Sequence, residues 1–505
     1  MLRRISRTLI AGCGAAAAAI LIAPPPAVAA PEIVAVAMRD VTVAIGGPGV
    51  VAGVTLISDE PVVLDDIVVT YDFSALADVA EVVPPAGADC SLVVREILTC
   101  ARDQLRVGPS PLPGQFDVVV RAADGSTGGE GPLQLSLSAG GVTLTSSTSS
   151  WVRVGDGVDL VAGPSTTLSR KPGESFTLPL RVDVAGATAV HEPRVYFTDV
   201  YAFRATRKFN NCLYVLDRIR SCSFDGMFTP GDTYTAVLPF LVGADTAAPS
   251  ARDLEATWFT AAEAEDYESF LAGHGYSGGE PGTDGDLPLT GVLKLRASRP
   301  LPPQADTEPS NNSSSLSVAV TGRNGTDLAA VGAAPRGPVG AVRSVSVGLR
   351  NNGPAALDDH NGAAVALDIT VPPGTTATAV PGECAPLVNG IAEPTNGGTA
   401  GAAAYRCRPD LPVYADFTAG FAFDLRIDRA GRTDGAVTVT GLDDLDAANN
   451  RAAIVVNGPA DPAPPPRDNG GLPITGAPAG TLAGLGALLI LAGACAVVLA
   501  RTRAT

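Results

Sequence analysis

The sequence predicts an all-β protein: three tandem β-sandwiches carried between an N-terminal export signal and a C-terminal membrane span. Three observations predict it. Short Val-rich runs such as Val345-Ser346-Val347-Gly348-Leu349 and Ala436-Val437-Thr438-Val439-Thr440 alternate sides, as half-buried antiparallel strands do. Turn signals return about every ten residues with almost no helical periodicity between them, the pattern of short-stranded sandwiches. A cysteine pair recurs once in each third of the chain: Cys90/Cys100, Cys212/Cys222 and Cys384/Cys407.

The first element is a secretory signal peptide. Arg3, Arg4 and Arg7 form its charged start, an apolar stretch covers 9–23, and Ala27-Val28-Ala29 supplies a small-residue cleavage site. Cleavage is expected after Ala29, because cutting one residue later would leave Pro31 first. Arg3-Arg4 lacks the apolar residues a twin-arginine signal needs soon after the pair, since Ser6 and Arg7 stand there. Cys13 follows Arg7 too closely, and the apolar run continues past it, so a lipoprotein box does not fit.

Between the ends, 30–475 is long enough for three ordinary domains. Segments near 31–150, 151–304 and 305–457 repeat one pattern of Val-rich runs, a cysteine pair, a glycine and a further strand. The stretch from Cys90 to Cys100 aligns without gaps on that from Cys212 to Cys222, and a turn near each centre would let the cysteines face across a hairpin. Six cysteines allow fifteen connectivities, and pairing within each segment is the simplest, formed outside the cell where disulfides persist. Gly114, Gly231 and Gly420 each precede the next strand. Asp156-Gly157-Val158-Asp159-Leu160 is echoed by Asn324-Gly325-Thr326-Asp327-Leu328, and Asp306-Thr307-Glu308-Pro309-Ser310-Asn311-Asn312 by Asp444-Leu445-Asp446-Ala447-Ala448-Asn449-Asn450. One piece departs from the β pattern: 253–271 would place Trp258, Ala262, Tyr267 and Leu271 near one helical face, an inserted helix in the second sandwich.

After the third segment, 458–471 turns to proline and reads as an extended linker. Then come Leu472-Pro473-Ile474-Thr475-Gly476, an uncharged run over 482–500, and the basic tail 501–505 with Arg501 and Arg503. Nineteen helical residues span about 28 Å, close to the hydrocarbon thickness of a bilayer. The arginines hold the tail in the cytoplasm and the preceding chain outside. This arrangement resembles the cell-wall sorting signal of Gram-positive surface proteins, the substrates of sortase transpeptidases. The resemblance implies attack by a sortase cysteine on the Thr475 carbonyl, release from Gly476 onward, and transfer of Thr475 to an amino group of the peptidoglycan precursor. Sortase, covalently attached peptidoglycan and, before sorting, the membrane are the implied partners; an outer ligand stays unnamed. An ordinary single-pass membrane anchor is the alternative. Leu287-Pro288-Leu289-Thr290-Gly291 fits the same five-residue pattern, but Lys294 and Arg296 follow instead of a span, so it is expected to be a coincidence within a strand-rich domain.

The third segment has a second resemblance. Leu349-Arg350-Asn351-Asn352-Gly353-Pro354, Val371-Pro372-Pro373-Gly374 and the turn from Asp446 to Asn450 are similar to the Ig-like repeats of bacterial surface proteins, often spacers or stalks. The resemblance implies an Ig-like β-sandwich, extended to the first two segments through their internal similarity.

Chemistry is thinly represented. The formal charge of −17 becomes −22 once the five arginines of the two removable ends are gone, an acidic surface that repels nucleic-acid phosphates. Gly275-Tyr276-Ser277-Gly278-Gly279, beside His274, fits a nucleophile-elbow pattern, yet Pro281 and Gly282 follow where a helix is required. The three histidines, His191, His274 and His360, share no helical spacing, and nine residues between the cysteines of each of the first two pairs is no zinc spacing. Asp306, Glu308, Asp444 and Asp446 are weak calcium candidates in turns that Asp and Asn also favour for their own hydrogen bonding. The expectation is a displayed protein of structural or adhesive role, without catalysis or cofactor; the alternatives are a ligand-binding module for glycan or protein, with or without calcium, and last a surface hydrolase using Ser277.

Overall fold

A computed structural model describes residues 34–458 apart from 59–61, 85–87, 109–110, 141, 274–275, 277, 292–300, 363, 394–396 and 442–443. The signal peptide with Ala29, the linker beyond Gly458, the sorting pentapeptide, the span and the tail lie outside the described residues, as do His274 and Ser277.

Five antiparallel strands in one fixed order form the spine of each sandwich. In the first they are Val142–Val158, Gly129–Ala139, Val62–Asp72, Ile97–Val107 and Cys90–Val94. In the second, Ser313–Asn324, Ala248–Phe259, Arg194–Phe197, Arg218–Ser223 and Cys212–Val215 take the same places. Arg451–Val456, Thr433–Thr440, Ala366–Thr370, Ala404–Cys407 and Cys384–Val388 do so in the third. The cysteine hairpin therefore always sits at one side of the spine and the last strand of the sandwich at the other.

A second sheet covers each spine. In the second sandwich it runs Leu160–Ala162, Ser175–Val184, Thr233–Val242, Phe203–Ala205, and in the third Leu328–Val331, Val342–Asn351, Thr418–Ile427, Thr375–Ala379. In the first it is divided into two three-stranded pieces. Strict alternation positions these strands: Phe176, Leu178, Leu180, Val182 and Val184 point inward while the residues between them face outward. Three separate apolar cores result, with Ile67, Tyr71 and Leu135 in the first, Phe176, Phe240 and Trp258 in the second, and Leu349, Tyr405 and Phe423 in the third. Among the described residues no helix is long and apolar enough to cross a membrane.

Both internal domain boundaries move. The strand Val142–Val158 runs through the expected break at 150/151, with Val152 and Val154 in the first core and Val158 in the second. Likewise Ser313–Asn324 belongs to the second sandwich, where Leu316, Val318 and Val320 are buried, so the third core begins at Leu328 and not at 305. The Asp-rich turn marks the approach to a closing strand; it does not start a domain.

The expected helix over 253–271 divides in two. Ala248–Phe259 is a strand in which Leu254, Ala256 and Trp258 share the inward side, and the helix spans Ala261–Gly273. Thr260 sets the division. Its hydroxyl accepts from the Glu263 N–H at 3.3 Å, while the Glu263 carboxylate accepts from the Thr260 N–H at 3.0 Å, a reciprocal cap that ends the strand and starts the helix. The glycine repeat also holds only twice: Gly114 and Gly231 have positive φ of 77° and 82°, whereas Gly420 lies within a strand opposite Gly348. In the third sandwich Asp416, φ 61°, makes the corresponding turn, a left-handed conformation that Asp tolerates better than most residues.

Candidate functional site

In every sandwich the two cysteines lie directly opposite across antiparallel strands and are bonded, Cys90 to Cys100, Cys212 to Cys222 and Cys384 to Cys407. Such bridges persist in oxidising, extracellular compartments. Each hairpin tip presents aliphatic side chains to water: Leu92, Val93 and Val94 in the first, Leu216 in the second, Ile391 in the third.

The two sequence echoes are halves of one clasp, built twice. In the second sandwich Asp306 accepts from the Leu160 N–H at 2.7 Å and from the Glu308 N–H at 2.7 Å, and Asn311 donates to Asp159 at 3.2 Å. In the third, Asp444 accepts from the Leu328 N–H at 3.0 Å and the Asp446 N–H at 3.3 Å, and Asn449 donates to Asp327 at 2.7 Å. In the second and third sandwiches the first turn is thereby pinned to the turn before the last strand. These carboxylates face N–H donors, which a cation would have to displace, and Glu308 and Asp446 serve the turns themselves, accepting from Ser310 Oγ and from the Ala448 N–H. Among the described residues no group of three or more His, Cys, Asp or Glu converges as a metal site would require.

The internal pentapeptide is built into the second sandwich. Leu287 is 3% exposed within the core, its N–H donates to Asn211 Oδ1 at 2.7 Å, and Thr290 bridges to Thr235. The Thr290 N–H and hydroxyl both donate to the Thr235 carbonyl, at 3.0 and 3.1 Å, so this threonine is tied to the sheet.

Charged pairs join the sandwiches. The inserted helix of the second sandwich rests on the first: Asp266, 2% exposed, accepts from Thr42 Oγ1 at 2.7 Å and pairs with Arg153. On the same helix Glu263 accepts from the Asp306 N–H at 2.9 Å, so it also touches the clasp. Burial raises all three carboxyls, Glu263 to about 7, Asp266 to about 6 despite Thr42 and Arg153, and Asp306 against the pull of its N–H donors. At the next joint Arg252 meets Asp358, and the Ala356 N–H donates to the Asp245 carbonyl at 2.8 Å. Asp245 also accepts from the Tyr201 hydroxyl, whose ring lies 4.2 Å beneath the Arg204 guanidinium carbon. The sequence held one overlooked signal for this joint: Arg252 has the same strand parity as Leu254, Ala256 and Trp258, an arginine on the inward side.

Grooves in the surface of the described residues include two of similar size. One of about 670 Å³ in the first sandwich is lined by Phe73, Glu81, Leu92, Arg95 and Arg121; another of about 640 Å³ in the third is lined by Pro381, Glu383, Pro409, Leu411 and Phe417. Neither contains a histidine or cysteine. His191 lies in a two-residue strand and His360 in a single-turn helix, Asp359–Gly362, far apart in the chain.

No protein-family model matches the chain, and no curated protein matches it. Among solved structures it is similar to an I-band fragment of titin, at 10% identity over 85% of this chain and 97% of that one, TM-score 0.15. It is also similar to a protein of unknown function from Porphyromonas gingivalis, at 14% identity over 45% and 92%, TM-score 0.17. A complex of Dpr2 Ig1-Ig2 with DIP-Theta Ig1-Ig3 gives 8% identity over 84% and 99%, TM-score 0.19. Ig domains are thus among the neighbours, and the fold class rests on the sheets described above.

Proposed function

We propose that this chain is an exported surface protein whose three Ig-like sandwiches are displayed from the peptidoglycan, to which a sortase joins it through Thr475. The order of pentapeptide, uncharged run and basic tail at 472–505 is the observation that carries the reading. The described residues support a spacer or adhesive role. Disulfides suit an extracellular setting, and the paired charges at both joints favour a stiff rod over beads on a string. Muramidase treatment of the producing cells tests it: the protein is expected in the supernatant carrying wall fragments, and detergent alone should not release it. Release by detergent with Arg503 still present would identify an uncleaved membrane protein instead.

A second reading, a surface module that binds a glycan or protein, is favoured by the groove beside Phe417, which is 54% exposed. Binding of surface glycans or proteins, lost on Phe417→Ala with the fold intact, would establish it.

A further inference from the structure

The outer edge of the cysteine hairpin is treated differently in the three sandwiches. In the second, Cys212–Val215 is covered by a short strand of the same chain, Glu280–Pro281, which pairs Leu213 with Pro281 and Tyr214 with Glu280. In the third, Ile391–Ala392 covers Cys384–Val388. In the first, Cys90–Val94 ends the sheet, and among the described residues no strand pairs with its outer side. The gapless alignment sets Ser91 and Leu92 where Leu213 and Tyr214 are covered.

This open edge lacks the usual protection. Leu92, Val93 and Val94 are 60%, 62% and 54% exposed, and no charge lies between Cys90 and Val94. A register shift falls between Leu92 and Val94, but the second sandwich has one between Leu213 and Tyr214 and is paired there all the same. The backbone is suitably turned. Ala101 donates its N–H to the Asp89 carbonyl, so up to the register shift the odd-numbered residues, Asp89 and Ser91, bond inward, and alternation puts the N–H and C=O of Leu92 on the outer side.

We infer that this edge pairs with the same edge of a second copy of the chain, antiparallel about a two-fold axis at Leu92. Charge selects the occupant and the register. Pairing Leu92 with Leu92 sets Ser91 against Val93 and brings the exposed Asp89 just before the strand of one copy toward the exposed Arg95 in the hairpin turn of the other, twice by symmetry. A shift by one position would oppose Asp89 to Glu96, like charge to like. The remainder of so acidic a chain repels its copies, which leaves this neutral, self-complementary edge as the point of approach. Five residues a side bury well under the roughly 1,200 Å² of a standard interface, so the dimer is weak and concentration-dependent.

The test uses the full chain in mild detergent, with Cys13 and Cys495 replaced by Ser. Sedimentation velocity over a dilution series should show a monomer–dimer equilibrium. Asp89→Arg should weaken it about tenfold, because two symmetry-related contacts are struck, and adding Arg95→Asp should restore it. Under mild oxidation Leu92→Cys should cross-link between copies, and Ser91→Cys, which faces Val93, should not. A monomer at every concentration, equal cross-linking of the two variants, or a dimer indifferent to Asp89→Arg would overturn the proposal. So would a monomer whose Leu92 amide is protected from hydrogen exchange, which would mean that a strand from another source occupies the edge.

Discussion

Arg252 of the second sandwich and Asp358 of the third form a two-point ion pair, Nη1 to Oδ1 at 3.2 Å and Nη2 to Oδ2 at 3.0 Å, with the two side chains 2% and 1% exposed. Asp358 Oδ1 also accepts from the His360 and Asn361 N–H groups at 3.1 Å. A buried charge is costly unless matched, so the pair ties the conformation of one sandwich to the presence of the other.

Removing one partner should therefore cost far more than replacing both. Arg252→Met alone, leaving the Asp358 carboxylate without its guanidinium, should destabilise the joint by about 3–5 kcal/mol. Arg252→Met with Asp358→Asn, which keeps an acceptor for the turn, should recover much of that. Urea titrations of the two variants beside the parent, followed by tyrosine and tryptophan fluorescence, check the order.

The joint between the first two sandwiches should loosen as pH rises. Glu263 and Asp266 have raised folded-state values, about 7 and about 6, so the folded joint holds protons that the unfolded chain has released. Their contribution is complete below about pH 4 and fades as pH climbs through 6 to 7. Hydrogen exchange along Ala261–Gly273 should then be slower at pH 5 than at pH 8, after correction for intrinsic rates, and Asp266→Asn should flatten the difference.

The two pentapeptides should behave differently. Thr475→Ala should abolish attachment to the wall, whereas Thr290→Ala should leave it unchanged, since Leu287 is in the core and Thr290 is paired with Thr235. Muramidase release followed by mass determination of the C-terminus distinguishes the two outcomes.

The clasps should act through hydrogen bonds and not through a metal. Asp444→Ala leaves the Leu328 N–H without its acceptor and should cost about 1–3 kcal/mol, and Asp306→Ala should do the same through Leu160. Melting temperature should be equal in calcium and in chelator, as read by calorimetry; a calcium-dependent rise lost in Asp444→Ala would show that a cation occupies the turn.

Local rules determined much of this protein. Period-two alternation over stretches such as 175–184 and 345–349 points to strands with one wet face, and a turn midway between cysteines ten residues apart lets them meet across a hairpin. The sorting reading likewise belongs to sequence alone, because length, absence of charge and flanking arginines are all that a bilayer needs to sense.

Tertiary structure decided where the sandwiches begin and end. Ser313–Asn324 is as good a strand for one neighbour as for the other, and its pairing along Ala248–Phe259 on one side and Thr166–Arg170 on the other assigns it to the second core. The same holds for the echoed turns, Asp159 with Asn311 and Asp327 with Asn449. Their repetition was legible, but that each pair meets across more than a hundred residues depends on the sheet order between them. Which charges are buried depends likewise on what packs above them: Arg252 and Asp266 become structural only because a neighbouring sandwich excludes water from their surroundings.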